Sequence, residues 1–142
     1  MRLILDASMA LAWLFERVDT NEAACAEKAL QALSDAETKV PPLWHAEISN
    51  TLLVAERRKV ITEAQSIDYL NQLSKLMIED DEALPATRRD SVIALAREYK
   101  LTAYDATYLE LALRINAVLA TFDKALADAM RHAGGSIFSM SS

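Results

Sequence analysis

Short apolar runs alternate along the chain with longer segments in which hydrophobic residues recur every three or four positions. The short runs predict buried strands at residues 3–5, 39–41, 77–78, 117–121 and 136–140. Strands that alternate with helices in this way indicate an α/β fold with a mostly parallel sheet. We therefore expect a short sheet of four or five strands, flanked by helices in a three-layer α/β/α arrangement.

The periodic segments predict seven helices, most of them with a recognisable end. They cover a short stretch after Asp6 that runs to Trp13, and then about residues 20–33, 44–58, 62–76, 87–99, 102–115 and 124–132. The expected cap residues are Thr20, Thr62 with Gln65, Thr87, Thr102 and, past the last helix, Gly134.

Length and composition indicate one domain over residues 1–142. Of the 142 residues, 52% are hydrophobic and 25% are charged, which is enough for an independent core without a metal or disulfide. The single cysteine, Cys25, has no partner within the chain and suits a reducing compartment as a small buried hydrophobe. No apolar run approaches the roughly 18 residues that span a membrane. These features predict a cytoplasmic protein.

Two features of the composition limit how the chain can bind phosphate. Its only glycines are adjacent, Gly134 and Gly135, so the Gly-rich phosphate loops of nucleotide-binding proteins are excluded. The formal charge of −6 and the isoelectric point of about 4.9 argue against a protein that binds nucleic acid through a basic surface. A phosphate bound through a metal ion would need no such loop.

Four acidic residues from separate segments are expected at one edge of the sheet. Asp6 and Asp123 each follow a predicted strand. Glu47 and Asp105 lie in the first turns of helices that start at the same edge. Each alone fits a helix N-terminus, where carboxylates cap the helix or interact with its dipole. Together they would raise one another's pKa values, and because carboxylate oxygens select Mg²⁺ or Mn²⁺, they predict a site for one or two such ions.

Three polar residues lie beside these acids. Ser8 follows Asp6 by two residues, where its hydroxyl can orient a carboxylate or a water molecule. Thr121 precedes Asp123 by two residues and points the same way on a strand. Asn50 lies one helical turn beyond the glutamate and can donate to phosphate or water. Ordinary turn and strand roles remain open for the two hydroxyls.

These motifs, in this order, resemble the PIN-domain family, and most of all the VapC-type ribonuclease toxins of toxin–antitoxin pairs. The likeness covers nearly the whole chain. It rests on the sequences LILDAS at 3–8, EISN at 47–50, YDATYLELA at 104–112, LATFD at 119–123 and KALA at 124–127, and on the Gly134-Gly135 turn.

The resemblance implies a PIN-like fold and Mg²⁺- or Mn²⁺-dependent cleavage of single-stranded or structured RNA. It also implies a homodimer and a small cognate antitoxin as protein partner. The family's acidic quartet matches Asp6, Glu47, Asp105 and Asp123, which are therefore the expected catalytic and metal-binding residues. Its supporting polar positions match Ser8, Asn50 and Thr121.

In the expected reaction, water activated by the bound metal attacks an RNA phosphodiester in line. We expect Glu47 to orient or deprotonate this water, because a helix leaves its side chain more freedom than a strand end does. Arg58 ends the same helix, roughly 16 Å from Glu47, and is a candidate contact to an RNA phosphate. A cation there is also favoured by the helix dipole alone, so a purely solvated role stays open.

Other functions fit less well. The His45-Ala46-Glu47 triplet matches the H-x-E of zinc deaminases, but the P-C-x-x-C that completes their zinc site is missing. A phosphotransfer D-x-D motif fails because position 8 is serine. The acidic run at 79–82 is typical of a solvated turn. The main alternative is a catalytically silent PIN-like binding or scaffolding module. Four acids close together argue against it, because a scaffold does not need them.

Overall fold

The computed structural model describes residues 1–139 of the chain. Within that range the elements are, in order, β1 (Arg2–Leu5), α1 (Ala7–Leu11), α2 (Thr20–Ala32), a 3₁₀ turn (Leu33–Asp35), β2 (Glu37–Val40), α3 (Leu43–Arg57), α4 (Glu63–Ser74), β3 (Ile78–Asp80), α5 (Pro85–Tyr99), α6 (Ala103–Arg114), β4 (Val118–Ala120) and α7 (Lys124–His132). None of these helices has the length and apolar character needed to cross a membrane.

The four strands form one parallel sheet in the order β3-β2-β1-β4. In β1, which lies between β2 and β4, Ile4 is opposite Lys39 of β2 and Leu119 of β4. Its apolar run, residues 3–5, is fully buried, as a strand covered on both faces requires. The predicted α/β fold with a short parallel sheet is confirmed.

The order of the strands explains the three layers. The chain moves from β1 to β3 in one direction and then returns past β1 to β4. Because parallel crossovers are right-handed, α1 to α4 lie on one face of the sheet, and α5 and α6 lie on the other. The contacts agree, since α1 packs against α2 and α3, while α5 and α7 pack against α6. The Tyr69 hydroxyl of α4 also donates to the Ala10 carbonyl of α1 at 2.5 Å.

One face of helix α3 packs into this core. Its four buried residues are Trp44, Ile48, Leu52 and Ala55. The burial of this face fixes the rotation of α3 about its axis and leaves Glu47, one residue before Ile48, half-buried. Cys25 is buried on α2, as expected for a small apolar residue.

Two helix starts differ from the prediction. Asp19, not Thr20, caps α2, and its carboxylate accepts from the N–H groups of residues 21 and 22. Helix α5 begins at Pro85 rather than at a Thr87 cap, and the Thr87 hydroxyl donates back to the Leu84 carbonyl at 2.7 Å. Proline is favoured there because its φ suits a helix and it has no N–H to satisfy. The predicted ends that are confirmed are the capping box of Thr62 with Gln65, the Thr102 cap, and Gly134 at a φ of +87°.

The strand predicted at 136–140 is reduced to a single bridge. Ile137 pairs in parallel with Leu119, and the Phe138 N–H donates to the Leu119 carbonyl at 2.9 Å. Met140 lies outside the described residues. The described sheet therefore has four strands, and this bridge extends its β4 edge.

The acidic run at 79–82 is not simply a solvated turn. The Asp81 side chain is 11% exposed and accepts from Arg114 at 2.6 Å, and Arg114 also donates to the buried Glu110 at 2.9 Å. Burial alone would raise the pKa of Asp81, but its bonds to Arg114 and to a backbone N–H lower it on balance. These pairs join β3 to α6, so part of the run has a structural role.

Candidate functional site

Asp6 is held at the carboxyl end of the central strand. It directly follows β1, and its N–H donates to the Ala120 carbonyl at the end of β4 at 3.0 Å. The residue is 6% exposed. Although it precedes α1, its side chain makes no capping bond to that helix. Helix capping therefore does not explain a buried carboxylate at this position.

Two hydroxyls orient the Asp6 carboxylate. Ser8 Oγ donates to Asp6 Oδ2 at 2.7 Å, and Thr121 Oγ1 donates to the same oxygen at 2.6 Å. Ser8 Oγ in turn accepts from the Phe122 N–H at 3.0 Å, and Thr121 Oγ1 accepts from the Asp123 N–H at 2.9 Å. The segment after β4 is thereby tied to the start of α1, and the structure brings Ser8 and Thr121 directly to Asp6.

Glu47 reaches the same edge from the second turn of α3. Its Oε1 accepts a short hydrogen bond from the hydroxyl of Tyr108, a fully buried residue of α6. Sequence reasoning missed Tyr108, because a tyrosine on an apolar helix face is typical of a core residue. Its one sequence signal is its position three residues after Asp105, which puts both on the same face of α6.

The other two acids lie at helix N-termini. The Asp105 N–H donates to the capping Thr102 hydroxyl at 3.1 Å, which places its carboxylate in the first turn of α6. Asp123 caps α7, and its Oδ1 accepts from the Leu126 N–H at 2.9 Å. Asp123 thus has the structural role that a helix N-cap predicts, and its charge also acts on the neighbouring carboxylates.

The pKa values show that the acids form one electrostatic group. Burial is the main cause that raises the pKa of Asp6, of Glu47 and of Asp105. The charge of Asp123 raises the pKa of Asp6 and of Asp105 further, and the charges of Asp6 and Asp105 raise the pKa of Glu47. Such an arrangement is unfavourable by itself and becomes favourable when a cation is shared.

The donor set fits a hard divalent ion, since its ligands are all carboxylate oxygens. Within residues 1–139, no three His, Cys, Asp or Glu side chains form a ready-made metal cage. Asp6, Glu47 and Asp123 each have one oxygen in the hydrogen bonds described above, and those bonds leave the second oxygen of each unused. These second oxygens are therefore the atoms that the three side chains can offer to a shared ion.

Asn50 and Arg58 lie apart from this group. Both are exposed, and they line an open cavity of about 380 Å³ along α3 together with Phe15 and Val60. In the described part of the chain, no hydrogen bond joins Asn50 to the four acids. The structure thus brings the two hydroxyl residues to the carboxylates and leaves Asn50 and Arg58 on a neighbouring surface.

The metal-free protein is expected to lose stability as the pH rises above about 4.5. Folding raises the pKa of Asp6, Glu47 and Asp105 above their ordinary values of 3.8, 4.5 and 3.8. Between the ordinary and the raised values the folded state binds more protons than the unfolded state, so the free energy of unfolding falls with rising pH. The lowered pKa of Asp81 acts only below about pH 4, outside this window.

Thermal unfolding midpoints in EDTA and in Mg²⁺ measure this effect. Mg²⁺ should recover most of the loss at neutral pH, because it offsets the carboxylate charges. Asp6→Asn should flatten the pH dependence in EDTA, whereas Asp90→Asn, at an exposed position of α5, should leave it unchanged. An unfolding midpoint that rises with pH in EDTA, or that is the same with and without Mg²⁺, would contradict this account of the site.

Residues 3–131 match the PIN domain, and the chain belongs to that family. The family predicted from the sequence motifs is thereby confirmed. Ribonuclease VapC3 of Pyrobaculum aerophilum is 30% identical to this chain over 128 residues, which cover 90% of this chain and 94% of that protein.

Two crystal structures have a similar fold. PAE2754 from Pyrobaculum aerophilum superposes with a TM-score of 0.69 at 25% identity, over 96% of this chain and 83% of that chain. FitAcB from Neisseria gonorrhoeae superposes with a TM-score of 0.63 over 96% of both chains. At 16% identity, the second likeness concerns the fold alone.

Proposed function

We propose that this protein is a metal-dependent endoribonuclease that hydrolyses RNA phosphodiester bonds as the toxin of a toxin–antitoxin pair. The observation that carries the proposal is a group of four acids at the carboxyl edge of a PIN-family sheet, in which burial and the neighbouring acidic charges raise the pKa of Asp6, Glu47 and Asp105. The 30% identity to a protein named as a ribonuclease supports RNA as the substrate.

One or two Mg²⁺ or Mn²⁺ ions are the cofactors that this site fits. The residues that would hold them are Asp6, Glu47, Asp105 and Asp123. When bound, a divalent cation activates water for in-line attack and offsets the charge that develops on the phosphate and the leaving oxygen.

The chain's own groups prepare the site for this reaction. Ser8 and Thr121 hold the Asp6 carboxylate in one orientation, so little reorganisation is needed at the moment of reaction. The raised pKa of Glu47 brings its carboxylate closer to the working pH of a general base, and we assign it the role of orienting or deprotonating water. Asn50 and Arg58 line a cavity along the same helix, and we assign them contacts with the RNA backbone.

The partners follow from the family and from the charge. We propose that residues 1–142 form a single PIN domain, that two copies associate as a homodimer, and that a small cognate antitoxin inhibits the pair in the cytoplasm. The formal charge of −6 suits a basic segment of such a partner.

Cleavage of single-stranded RNA by the purified protein tests the proposal. Products should appear with Mg²⁺ or Mn²⁺, disappear on addition of EDTA, and return when the metal is restored in excess. Full activity in EDTA would overturn the metal-dependent mechanism. A protein that neither cleaves RNA nor binds Mn²⁺ would instead be the silent binding module.

Tyr108→Phe is expected to slow cleavage about tenfold, because groups that orient a metal-site carboxylate typically contribute that much. The bond from Tyr108 lowers the pKa of Glu47, so its loss should also move the acidic limb of the pH–rate profile upward. A purely structural role would not move that limb. The matched control is Tyr104→Phe on the same helix, where the side chain is 65% exposed. Equal rates and profiles for the two variants would remove Tyr108 from the positioning role.

A further inference from the structure

A second cleft, of about 350 Å³, opens between α5 and α6. We name it the α5–α6 cleft and define it by six of its lining residues: Pro41, Pro42, Arg88, Arg89, Thr107 and Glu110. The prolines directly follow β2, so the cleft opens at the carboxyl edge of the sheet, where the four acids also lie. Its volume falls in the range of small ligand sites.

The α5–α6 cleft borders the acidic group through shared elements. Thr107 and Asp105 are two residues apart on α6, about 200° around the helix, so they face opposite sides of its first turns. Pro42 is the residue before α3, the helix that carries Glu47. The N-termini of α3 and α6 therefore lie between the cleft and the carboxylates.

The two arginines that line this cleft differ in their ion pairs. Arg88 donates to Glu110 at 2.9 Å, and Arg114 is shared between Glu110 and Asp81. Arg89 lines the same cleft, is exposed, and has no acidic partner among residues 1–139. It is the one lining guanidinium whose charge is available to an anion, and a guanidinium can bind a phosphate through two parallel hydrogen bonds.

We propose that the α5–α6 cleft binds a nucleotide of the RNA substrate beside the scissile bond, with Arg89 paired to its phosphate. This inference rests on the proposed ribonuclease function and adds a substrate site to it. An RNA strand that crosses four carboxylates is repelled by them except where cations are held, so it needs a positive group just beyond. The base has an apolar wall to contact in Pro41, Pro42 and Val92.

The same chemistry could recognise the acidic segment of a protein, but the position favours RNA. The cleft lies at the edge where the substrate must pass, and an unstacked nucleotide presents both a phosphate and a flat base to a cation and an apolar wall. An acidic segment has no such reason to lie beside the carboxylates. The peptide is therefore an alternative that the experiment must separate.

Fluorescence anisotropy with a labelled single-stranded RNA pool, measured across a salt series in Mn²⁺, tests the proposal. All proteins carry Asp105→Asn so that cleavage does not interfere. Arg89→Ala should weaken binding about threefold to tenfold and reduce the slope of log affinity against log salt by about 0.7, the value for one phosphate contact to a single strand. Arg89→Lys keeps the charge and should keep most of that slope.

The matched control is Arg97→Ala, an exposed arginine in the last turn of α5 that does not line the cleft. Its affinity and slope should equal those of the Asp105→Asn parent, and all thermal midpoints should agree. Equal effects of Arg89→Ala and Arg97→Ala overturn the proposal. So does an unchanged RNA affinity in Arg89→Ala together with weaker binding of a polyglutamate probe.

The outcomes also separate this inference from the proposed function. If the wild type cleaves RNA but Arg89→Ala behaves like Arg97→Ala, the ribonuclease function is supported and the cleft is rejected as an RNA site. If the parent binds RNA through Arg89 but the wild type cleaves no RNA in Mg²⁺ or Mn²⁺, the cleft is supported and the catalytic mechanism is rejected. If the protein binds no RNA, both proposals are rejected.

Discussion

Asp6→Asn is expected to lower RNA cleavage in saturating Mg²⁺ by about a thousandfold or more, which corresponds to about 4 kcal/mol of transition-state stabilisation. The substitution keeps the size of the side chain and removes its charge. Because Ser8 and Thr121 both donate to Asp6 Oδ2, the amide oxygen of asparagine should take that position. Its NH₂ group would then replace the second carboxylate oxygen, and an amide NH₂ cannot act as a metal ligand.

The loss should not come from unfolding. Asp6 is buried with a raised pKa, so the charge costs stability in the metal-free protein, and its removal should maintain or raise the unfolding midpoint. Initial rates over a range of RNA concentrations, together with thermal unfolding, measure both effects. Asp90→Asn is the matched control and should retain full activity. Activity within tenfold of the wild type in a folded Asp6→Asn protein would remove Asp6 from the catalytic centre.

Arg114→Ala is expected to destabilise the protein by about 3 kcal/mol. The guanidinium donates to Glu110 and to Asp81, whose side chains are 6% and 11% exposed, respectively. Without it, no cationic side chain among residues 1–139 forms an ion pair with Asp81, and in that range Glu110 keeps only Arg88. Removing one partner of a buried ion pair costs more than the pair contributes, because an uncompensated charge stays buried.

Urea denaturation at pH 7 measures this loss against a control on the surface. Arg131 pairs with Asp128 at 3.4 Å, and its side chain is 60% exposed. Arg131→Ala should therefore change the free energy of unfolding by no more than about 0.5 kcal/mol. If Arg114→Ala lowered the free energy of unfolding as little as Arg131→Ala, the ion pairs of Arg114 would be solvated at the surface. This would agree with the solvated turn predicted for the acidic run at 79–82.

The candidate site could be located from the sequence because its acids follow local patterns. The apolar run before Asp6 predicts a buried strand, and the Thr102 cap predicts that Asp105 lies in a first helical turn; both are confirmed as placements. Because parallel strands end at a common edge, these local assignments were enough to bring the acids to one edge. Their catalytic role stays a prediction.

The features that the sequence did not predict depend on contacts between segments that are distant along the chain. Tyr108 lies 61 residues from Glu47, and Arg114 lies 33 residues from Asp81, so no local spacing indicates either pair. The last strand was predicted from its apolar residues, but within the described residues up to 139 only Ile137 has a bridge partner. At the start of α2, the cap was assigned to Thr20, although aspartate is the stronger N-cap residue and the adjacent Asp19 takes that position.

Calorimetric titration of the metal-free protein with Mn²⁺ tests the central claim, that four carboxylates form one metal site. The wild type should bind one or two ions per chain. Asp6→Asn should weaken that binding at least about tenfold, while Asp90→Asn should not change it. Binding of equal strength in all three proteins, or no binding by the wild type, would contradict the assignment.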